Sequence, residues 1–256
     1  MGKAHQLTQR RQQILTTLGK AGQLSVAELS TTFDVSEVTI RHDLQALSEQ
    51  GLLLRTRGGA TSTNTLPELS FDLRQQQYAA QKARIGQAAA DLVHYGDTIF
   101  LDASTTAQMI IPHIKQLSEL TVITNSLRVA FNLLDAPQIH VNLPGGSLRR
   151  TSISLIGQVQ GTSIDEINIQ LGFFGAHGVT VEEGMTDVNL NEVAMKRAMV
   201  ERCRRVVGVL DSRKWSKVAA YTFAGVEHID TLITDSDSSD ESICHMKQQQ
   251  VEVILV

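Results

Sequence analysis

Five polar residues between positions 36 and 45 have the chemistry needed to contact the base edges and phosphates of DNA. They are Ser36, Thr39, Arg41, His42 and Gln45. Arginine and glutamine hydrogen-bond to purine edges in the major groove, and hydroxyl groups bond to bases or to phosphates. At helical spacing these residues form a small, polar and partly basic surface that suits this groove. The alternative is an ordinary amphipathic helix whose polar surface faces solvent.

A second set of polar residues is spread over the C-terminal part of the chain and could bind a small ligand. The set is Asp102, Ser104, Thr105, Thr106, Asn125, Gly146, His177, Glu192 and Lys196. Hydroxyl side chains at the start of a helix, together with its free amides and its dipole, can bind an anion. We therefore expect Ser104, Thr105 and Thr106 to hold an anionic group, and the other residues to contact ligand hydroxyls or to shape the loops.

Each feature of this second set also has a simpler explanation. Three hydroxyl residues at a helix start often form only a cap, and a lysine four residues after a glutamate is often a surface ion pair worth roughly 0.2–0.5 kcal/mol. His177 lies between glycines and could be a turn residue. Residues 211–214 form one more polar loop after a predicted strand. The repetition of such loops at successive strand ends favours a ligand site.

A predicted helix positions the first set of residues. Ile40, Leu44 and Leu47 recur at helical spacing and predict a buried apolar back for this helix. Ser36 is a natural N-cap, because its hydroxyl can accept a hydrogen bond from an amide one turn later. Gly51 is the expected C-terminal stop. The helix should therefore turn the polar residues away from the core.

Two further helices are expected before this one. An amphipathic run that opens at Arg10 stops near Gly22, because glycine adopts the left-handed conformation easily. Residues 25–28 form a capping box that starts a short second helix. Residues 34–35 form the tight turn before the third helix. This arrangement predicts a helix-turn-helix.

A small basic hairpin is expected after the third helix. Residues 52–57 predict a strand and residues 58–59 a turn, which makes the unit a winged helix-turn-helix. Arg55 and Arg57 of this wing can reach phosphate or a minor groove. The whole chain has a net charge of −4, but its first 60 residues are mildly basic. A weakly basic domain makes few phosphate contacts, so tight DNA binding would need an oligomer.

The remainder of the chain alternates between predicted strands and helices. Strands are expected at residues 98–101, 120–124, 139–143, 167–174, 205–210, 231–234 and 252–256. Helices are expected at residues 79–94, 106–116, 127–134, 192–202 and 240–249. Several strands are continuously apolar, which indicates a mainly parallel sheet buried on both faces. The fold class is α/β, and its ligand site should lie beyond the carboxyl ends of the strands.

Composition divides the chain into three parts. Residues 1–60 form the winged helix-turn-helix, residues 61–74 an exposed linker without helical or strand periodicity, and residues 75–256 the α/β domain. No apolar run approaches the roughly 18 residues that a membrane span needs, and no N-terminal segment resembles a signal peptide. Cys203 and Cys244 lack metal-ligand spacing, so we expect buried or half-buried thiols, no metal and a cytoplasmic location.

The N-terminal motifs resemble those of the DeoR family of bacterial transcriptional regulators. The resemblance rests on Arg10, Ile14, Leu18, Ser36, Thr39, Ile40, Arg41, Asp43 and Leu44, and on the Arg-Thr-Arg-Gly-Gly-Ala wing at residues 55–60. His42 departs from the family pattern, which more often has Lys, Arg or a small polar residue at this position. The departure affects base preference rather than the DNA-binding assignment.

The C-terminal motifs resemble the sensor domain of the same family. They lie at residues 101–106, 124–126, 145–146, 174–178 and 184–186, and at Glu192 and Lys196. The family resemblance implies a domain related in fold to ribose-5-phosphate isomerase that binds phosphorylated sugars or related metabolites. It also implies a dimer or tetramer. Ser104 stands where many members have glycine, which could alter the phosphate ester that fits.

The resemblance implies a repressor of a carbohydrate-use operon that is induced by a phosphorylated sugar or polyol and needs no cofactor. One alternative is a sugar-phosphate isomerase-like enzyme with a DNA-binding appendage. The isomerases carry Asp-Gly-Ala-Asp in the active site, whereas residues 174–177 here are Phe-Gly-Ala-His. Both acids are absent, although Glu192 could still act as a base. A second alternative is an architectural protein that binds DNA without sequence preference.

Overall fold

The computed structural model describes residues 2–49, 53–61, 71–157 and 167–256. The chain divides into two compact units, Met1–Leu69 and Ser70–Val256. The described elements of the first unit are α1 (Gly2–Ala21), β1 (Gln23–Ser25), α2 (Val26–Phe33), α3 (Glu37–Glu49), β2 (Leu54–Thr56) and β3 (Gly59–Thr61).

The first unit has three helices and a small antiparallel sheet with the strand order β1-β3-β2. Its core consists of the apolar residues Ile14, Leu18, Val26, Leu29, Ile40, Leu44, Leu47 and Leu53, all at most 3% exposed. The winged helix-turn-helix is therefore confirmed. Two differences from the sequence prediction stand out: α1 begins at Gly2 rather than Arg10, and β1 was not expected.

Local signals explain where the first two helices end and begin. Gly22 has φ +75°, and its amide donates to the Leu18 carbonyl to close α1. Ser25 and Glu28 form the predicted capping box at the start of α2. Asp34 has φ 49° and makes the turn that leads to α3. The expected stop of α3 at Gly51 lies outside the described residues.

The second unit is built on a seven-stranded sheet. Its strands, in spatial order, are β15 (Glu252–Leu255), β14 (Thr231–Thr234), β12 (Cys203–Val209), β9 (Ile169–Phe174), β4 (Thr98–Leu101), β5 (Thr121–Thr124) and β6 (His140–Asn142). All neighbouring pairs are parallel. These are the seven strands that the sequence predicts. Buried clusters that include Phe174 and Phe173, successive residues of β9, show that both faces are covered.

Helices connect and cover these strands. The α-helices are α4 (Phe71–Gln76), α5 (Ala79–Ala90), α6 (Ile111–Ile114), α7 (Leu127–Asn132), α8 (Leu190–Val200) and α9 (Asp240–Gln248). Short 3-10 helices lie at Ala107–Ile110, Ser212–Lys214 and Val226–His228. The strands that were not predicted are β7 (Ser147–Arg149) and β8 (Ser154–Ile156), which form a hairpin, and β10 (Gly178–Thr180), β11 (Gly184–Asp187) and β13 (Tyr221–Ala224), which form an antiparallel sheet.

Both ends of the expected linker at residues 61–74 require correction. Thr61 belongs to β3, and residues 71–74 lie in α4. Phe71 is 1% exposed, and its amide donates to the Thr151 carbonyl over 3.2 Å. α4 has only six residues, which are too few to show a helical period in the sequence. The helix is stabilised by this tertiary packing rather than by its own sequence.

Candidate functional site

The polar face of α3 is exposed, as the sequence predicts. Arg41, His42 and Gln45 are exposed, while the apolar side of the same helix is buried. Ser36 caps the helix by accepting from the Thr39 amide over 3.2 Å, and the two hydroxyl oxygens lie 2.8 Å apart. Arg41 forms an exposed ion pair with Glu37 across one turn, at 2.7 Å. This pair leaves the guanidinium at the surface, where it can exchange the carboxylate for another anion.

The wing lies beside this helix. Arg55 on β2 donates from Nη1 to Oε1 of Gln45 over 2.8 Å, so a predicted wing contact and a predicted groove contact are adjacent. Arg57 is exposed at the turn between β2 and β3, where Gly58 has φ +98°. The structure therefore brings the predicted residues of α3 and of the wing to one surface.

A buried ion cluster fastens α1 to α3, and sequence reasoning missed it. Asp43 is 0% exposed and accepts hydrogen bonds from Arg10 Nε at 2.7 Å and from Arg11 Nε at 2.8 Å. Arg10 and Asp43 belong to the motif that resembles the DeoR family, but the residue pattern alone does not show that they meet Arg11 in one cluster. Their role is to hold the recognition helix against the first helix.

The second set of predicted residues converges on a cavity at the carboxyl edge of the seven-stranded sheet. The cavity has a volume of about 640 Å³, including its open mouth. Seven predicted residues line it: Ser104, Thr105, Thr106, Asn125, His177, Glu192 and Lys196. Asp102 and Gly146 are not among the lining residues. The structure thus brings together most of the set from four separate segments of the chain.

Lys196 lies at the centre of a buried network that forms part of the cavity wall. Its Nζ donates to Asp187 Oδ2 at 2.7 Å and to the Gly175 carbonyl at 2.7 Å, and it lies 3.2 Å from Asp102 Oδ2. Burial acts to lower the pKa of Lys196, but Asp187, Asp102 and Glu192 outweigh burial and raise it. Burial acts to raise the pKa of Asp187, but Lys196 and His177 outweigh burial and lower it well below its usual range. Both groups are therefore charged at neutral pH.

The alternative of a Glu192–Lys196 surface ion pair is wrong. Glu192 is 6% exposed and Lys196 is 7% exposed, and each has a different partner. Oε1 of Glu192 lies 3.0 Å from Arg149 Nη1 and accepts from the Ser154 hydroxyl at 3.0 Å. The glutamate therefore connects α8 to the β7–β8 hairpin.

Asp102 shapes the loop after β4 from beneath. Its Oδ1 accepts from the Ser104 amide at 2.9 Å, and its Oδ2 accepts from the Gly175 amide at 2.8 Å. The Ser104 hydroxyl caps the following 3-10 helix by accepting from the Ala107 amide at 3.1 Å. The capping explanation therefore holds for Ser104, although this residue also lines the cavity.

Three lining residues keep hydrogen-bonding capacity for a ligand. Among the described residues, the hydroxyl groups of Thr105 and Thr106 have no hydrogen-bond partner, and both residues are 6% exposed. Asn125 donates from Nδ2 to the Leu155 carbonyl at 3.2 Å. Its Oδ1 is buried without a partner in the part of the chain that the structure describes. A buried acceptor without a partner is costly unless a ligand or water supplies a donor.

His177 and Gly146 differ in how they relate to the cavity. His177 lines it, and its Nδ1 lies 2.9 Å from Asp187 Oδ1, so the residue is more than a turn element. Gly146 has φ +117°, and a Cβ there would lie 2.4 Å from the Ile156 carbonyl oxygen. Gly146 therefore permits the close approach of the β7–β8 hairpin and does not face the ligand space.

Sequence reasoning missed a basic group on the same cavity. Arg74, Lys82, Arg213 and Lys214 all line it. Residues 211–214 were noted as a polar strand-end loop, whereas Arg74 was assigned to the linker and Lys82 to an ordinary helix. Burial lowers the pKa of Lys82 to about 7 and that of Lys214 to about 8, in both cases against the opposing effect of Asp211.

Three other sequence expectations concern cysteines, metals and membranes. Cys203 is half-buried, and burial together with Asp230 raises its pKa to about 12. Cys244 is exposed on α9, so the expectation that it is buried or half-buried is wrong. Within the described ranges, no three His, Cys, Asp or Glu side chains are grouped as a metal site requires, and no helix has the length and apolarity to cross a membrane.

A winged helix-turn-helix followed by an α/β unit with a polar cavity defines a ligand-responsive transcriptional regulator. The DeoR-like helix-turn-helix domain matches residues 10–65, and the DeoR C-terminal sensor domain matches residues 77–236. The chain belongs to the DeoR family of transcriptional regulators.

Named relatives are regulators and repressors. The transcriptional regulator GolR of Listeria innocua is 37% identical over 89% of this chain and 90% of its own length. A putative aga operon repressor of Escherichia coli O157:H7 is 32% identical over 97% and 94%, respectively. The glycerol-3-phosphate regulon repressor of Escherichia coli K12 is 31% identical over 90% and 91%. The chain is accordingly a regulator and not an isomerase-like enzyme.

The solved structures that resemble the chain include a sugar-phosphate enzyme. Ribose 5-phosphate isomerase A of Methanocaldococcus jannaschii matches with a TM-score of 0.39 and 18% identity, over 53% of this chain and 54% of that one.

Proposed function

We propose that this protein is a sequence-specific repressor of a carbohydrate-use operon, and that a phosphorylated sugar or polyol in the second unit releases it from DNA. The observation that carries this proposal is the exposed polar face of α3 beside the basic wing, in a chain that also has a polar cavity. Release from DNA requires that the ligand-bound form has a lower affinity for DNA than the ligand-free form. A ligand that binds both forms equally would change nothing.

Direct contacts to the operator are assigned to α3 and the wing. Arg41, His42 and Gln45 present donors and acceptors for base edges, and Ser36 and Thr39 flank them at the helix start. Arg55 and Arg57 contact phosphate or a minor groove. Replacing Arg41 with alanine should weaken specific binding by about 1–3 kcal/mol if this side chain contacts a base.

The test compares a promoter fragment from the gene's own neighbourhood with a scrambled fragment at fixed salt. Arg41→Ala should lose affinity for the promoter and retain its affinity for the scrambled DNA. Lys247→Ala removes an exposed cation from α9 of the second unit and is the matched control. Equal affinity of the wild-type protein for both fragments would contradict the proposal and would favour the architectural alternative.

The effector is assigned to the cavity of the second unit. The hydroxyl groups of Thr105 and Thr106 and the buried Oδ1 of Asn125 supply the donors and acceptor that a phosphate ester with hydroxyl groups needs. One relative is named for glycerol 3-phosphate, which has this chemistry. Asp102, Ser104, His177, Glu192 and Lys196 hold the loops or contact the ligand. Gly146 is assigned to loop geometry alone.

A valine substitution tests the threonine assignment with little change in shape. Thr106→Val should abolish the effect of sugar phosphates on DNA release and leave DNA affinity unchanged. Thr121→Val is the matched control, because Thr121 starts β5 at the opposite edge of the sheet. A normal response of Thr106→Val to every sugar phosphate that acts on the wild-type protein would remove this residue from the site.

The proposal includes a homo-oligomer, dimer or tetramer, acting in the cytoplasm where operator DNA is found. A single weakly basic head forms few phosphate contacts, so two linked heads would supply the affinity. Phe131 and Leu134 are large apolar residues that are 73% and 74% exposed in the single chain. Exposed apolar residues of this kind are typical of a surface that a second subunit covers. Analytical ultracentrifugation of the wild-type protein and of Phe131→Ser tests this assignment. A monomer at DNA-binding concentrations would contradict it.

A further inference from the structure

One exposed apolar side chain lies on the polar face of α3. Val38 is 72% exposed, whereas Ile40 and Leu44 on the opposite side of this helix are 0% exposed. Among the described side chains of the first unit, that of Val38 is the only large apolar one in the exposed class. The core of the helix-turn-helix therefore does not use this residue.

Helix stability does not account for a valine at this position either. Val38 is the second residue of α3 and follows Glu37. A β-branched side chain loses rotamer freedom in a helix, so valine is a poorer helix former than alanine, glutamate or lysine. The apolar surface of Val38 also remains in water in the single chain, which is unfavourable. The residue is suited to a contact that forms when another molecule covers it.

The position of Val38 on the helix indicates what that molecule is. Arg41, His42 and Gln45 follow it by three, four and seven residues, which is the spacing of one helix face, and all three are exposed. We call these four residues the exposed row. The N-terminal residues of a recognition helix contact base edges in the major groove. Val38 therefore lies where a helix of this kind meets a base pair.

The spacing along α3 places Val38 one or two base pairs from Arg41. A helix rises 1.5 Å per residue, so the two residues lie about 4.5 Å apart along its axis. Successive base pairs of DNA lie about 3.4 Å apart. The two side chains can therefore contact neighbouring base pairs, one through an apolar surface and the other through a guanidinium.

Thymine is the base whose major-groove edge matches a valine. It carries a methyl group on C5, whereas guanine and adenine present acceptors and donors, and cytosine presents a donor. A valine against those polar groups would shield them from water without a hydrogen bond, which costs free energy. A valine against the thymine methyl group buries apolar surface on both molecules. An apolar residue in the exposed row therefore favours thymine and disfavours the other bases.

The wing supplies contacts of a different kind beside the exposed row. Arg55 donates to Gln45 over 2.8 Å, and Arg57 is exposed at the turn of the wing. Arginines in such positions bind phosphates, which orient a protein on the duplex but carry no sequence information. Val38 has no charge for a phosphate, so its contribution to DNA binding is to selectivity.

We propose that Val38 contacts the 5-methyl group of a thymine in the operator and thereby selects a T·A base pair beside the one that Arg41 contacts. The inference rests on the proposed function, in which α3 binds the operator, and adds the identity of one of its bases. Removal of the valine and removal of the methyl group should have the same effect on affinity. Removal of both should have little further effect, because each group needs the other.

Replacement of thymine by uracil tests the inference, because it removes the methyl group and keeps the hydrogen-bonding groups. The probe is a promoter fragment from the gene's own neighbourhood, prepared with thymine and with uracil at one thymine position at a time. In anisotropy measurements at fixed salt, wild-type affinity should fall about fourfold at the position that Val38 contacts. Val38→Ala should bind the unmodified fragment about fourfold more weakly and lose its response to uracil at that position alone.

Two controls separate this effect from a general loss of binding. Val218→Ala makes the same change at a valine of the second unit that is 56% exposed, and it should keep the wild-type response to uracil at every position. Val38→Ala should keep the wild-type dependence of affinity on salt, because it removes no phosphate contact. Alanine is the better helix former, so the substitution does not weaken α3.

The outcomes distinguish this inference from the proposed function. Uracil responses that are identical in the wild-type protein and Val38→Ala, or a wild-type protein that responds to uracil at no position, would overturn the role of Val38 while specific operator binding stands. A changed salt dependence in Val38→Ala would also overturn it. Absence of any preference for promoter over scrambled DNA would overturn both the inference and the proposed function.

Discussion

The ion cluster around Asp43 should control the stability of the DNA-binding unit. Asp43→Asn keeps the size of the side chain and removes its charge. Arg10 and Arg11 then lose the carboxylate that each binds through Nε, at 2.7 and 2.8 Å. Because these two contacts join α1 to α3, their loss should loosen the helix that carries the proposed base contacts.

The size of the effect follows from burial. The side chain of Asp43 is 1% exposed, whereas those of the two arginines are 19% and 20% exposed. A hydrogen bond to a charged group contributes roughly 1.5–3 kcal/mol, and two such bonds are weakened here. The arginines can partly turn to solvent, which reduces the loss. We expect a decrease of about 2–4 kcal/mol in the free energy of unfolding of the first unit.

The position of the single tryptophan makes the assay specific. Trp215 belongs to the second unit and is 6% exposed, so its fluorescence follows that unit, while far-UV circular dichroism follows both. In urea, Asp43→Asn should show an earlier transition in the dichroism signal and an unchanged one in fluorescence. The matched control is Glu37→Gln, which removes the same charge from the exposed Arg41 pair on the same helix and should change stability by about 0.3–0.5 kcal/mol. Equal stability of the two variants would refute the reasoning.

Three further predictions concern the second unit. Lys196→Met leaves Asp187 buried without its cation and should destabilise the unit by about 3–5 kcal/mol, as measured by tryptophan fluorescence in urea; a loss below about 1 kcal/mol would contradict the network. Gly175→Ala would place a Cβ 2.4 Å from that of Ser104. This contact should displace the loop after β4 and abolish sugar-phosphate binding in calorimetry. Wild-type affinity would show that the loops after β4 and β9 can move apart without loss of the site. Burial lowers the pKa of Lys82 from 10.5 to about 7. Between pH 7 and pH 10.5 the unfolded chain therefore binds more protons than the folded chain, and the free energy of unfolding should rise with pH over this range. Lys82→Met should flatten that slope in urea titrations at several pH values, and an unchanged slope would refute the burial of this ammonium.

The parts of the fold that the sequence predicts well have strong local signals. Several of the seven parallel strands are short, continuously apolar runs, because these strands are buried on both faces of the sheet. The helix-turn-helix has a capping box at Ser25 and an N-cap at Ser36, which are fixed by residues three positions apart. In both cases the information needed lies within one segment of the chain.

The strands that were missed depend on partners from elsewhere in the molecule. β10, β11 and β13 have three or four residues each, and glycines such as Gly178 and Gly184 interrupt their apolar pattern. Gly178 is needed because a Cβ there would lie 2.1 Å from the Lys217 carbonyl oxygen. Short strands of this kind are ordered by tertiary contact, which a single sequence does not display.

The candidate site was predicted in part for the same reason. Ser104, Thr105 and Thr106 were found because hydroxyl residues at a helix start are a local signal. Lys82 was missed because a lysine in a helix is usually solvated, and its burial depends on α4 and on the loop after β12. Asp187 was missed because it reaches Lys196 and His177 only through the unpredicted strand β11.

The most direct test of the account measures the coupling between the two units. Fluorescence anisotropy of a labelled promoter fragment from the gene's own neighbourhood should show specific binding by the full chain, and a phosphorylated sugar or polyol should release the DNA. Thr106→Val should bind the same fragment with wild-type affinity and no longer respond. Absence of any preference for promoter over scrambled DNA, or specific binding that no sugar phosphate alters, would contradict the central claim.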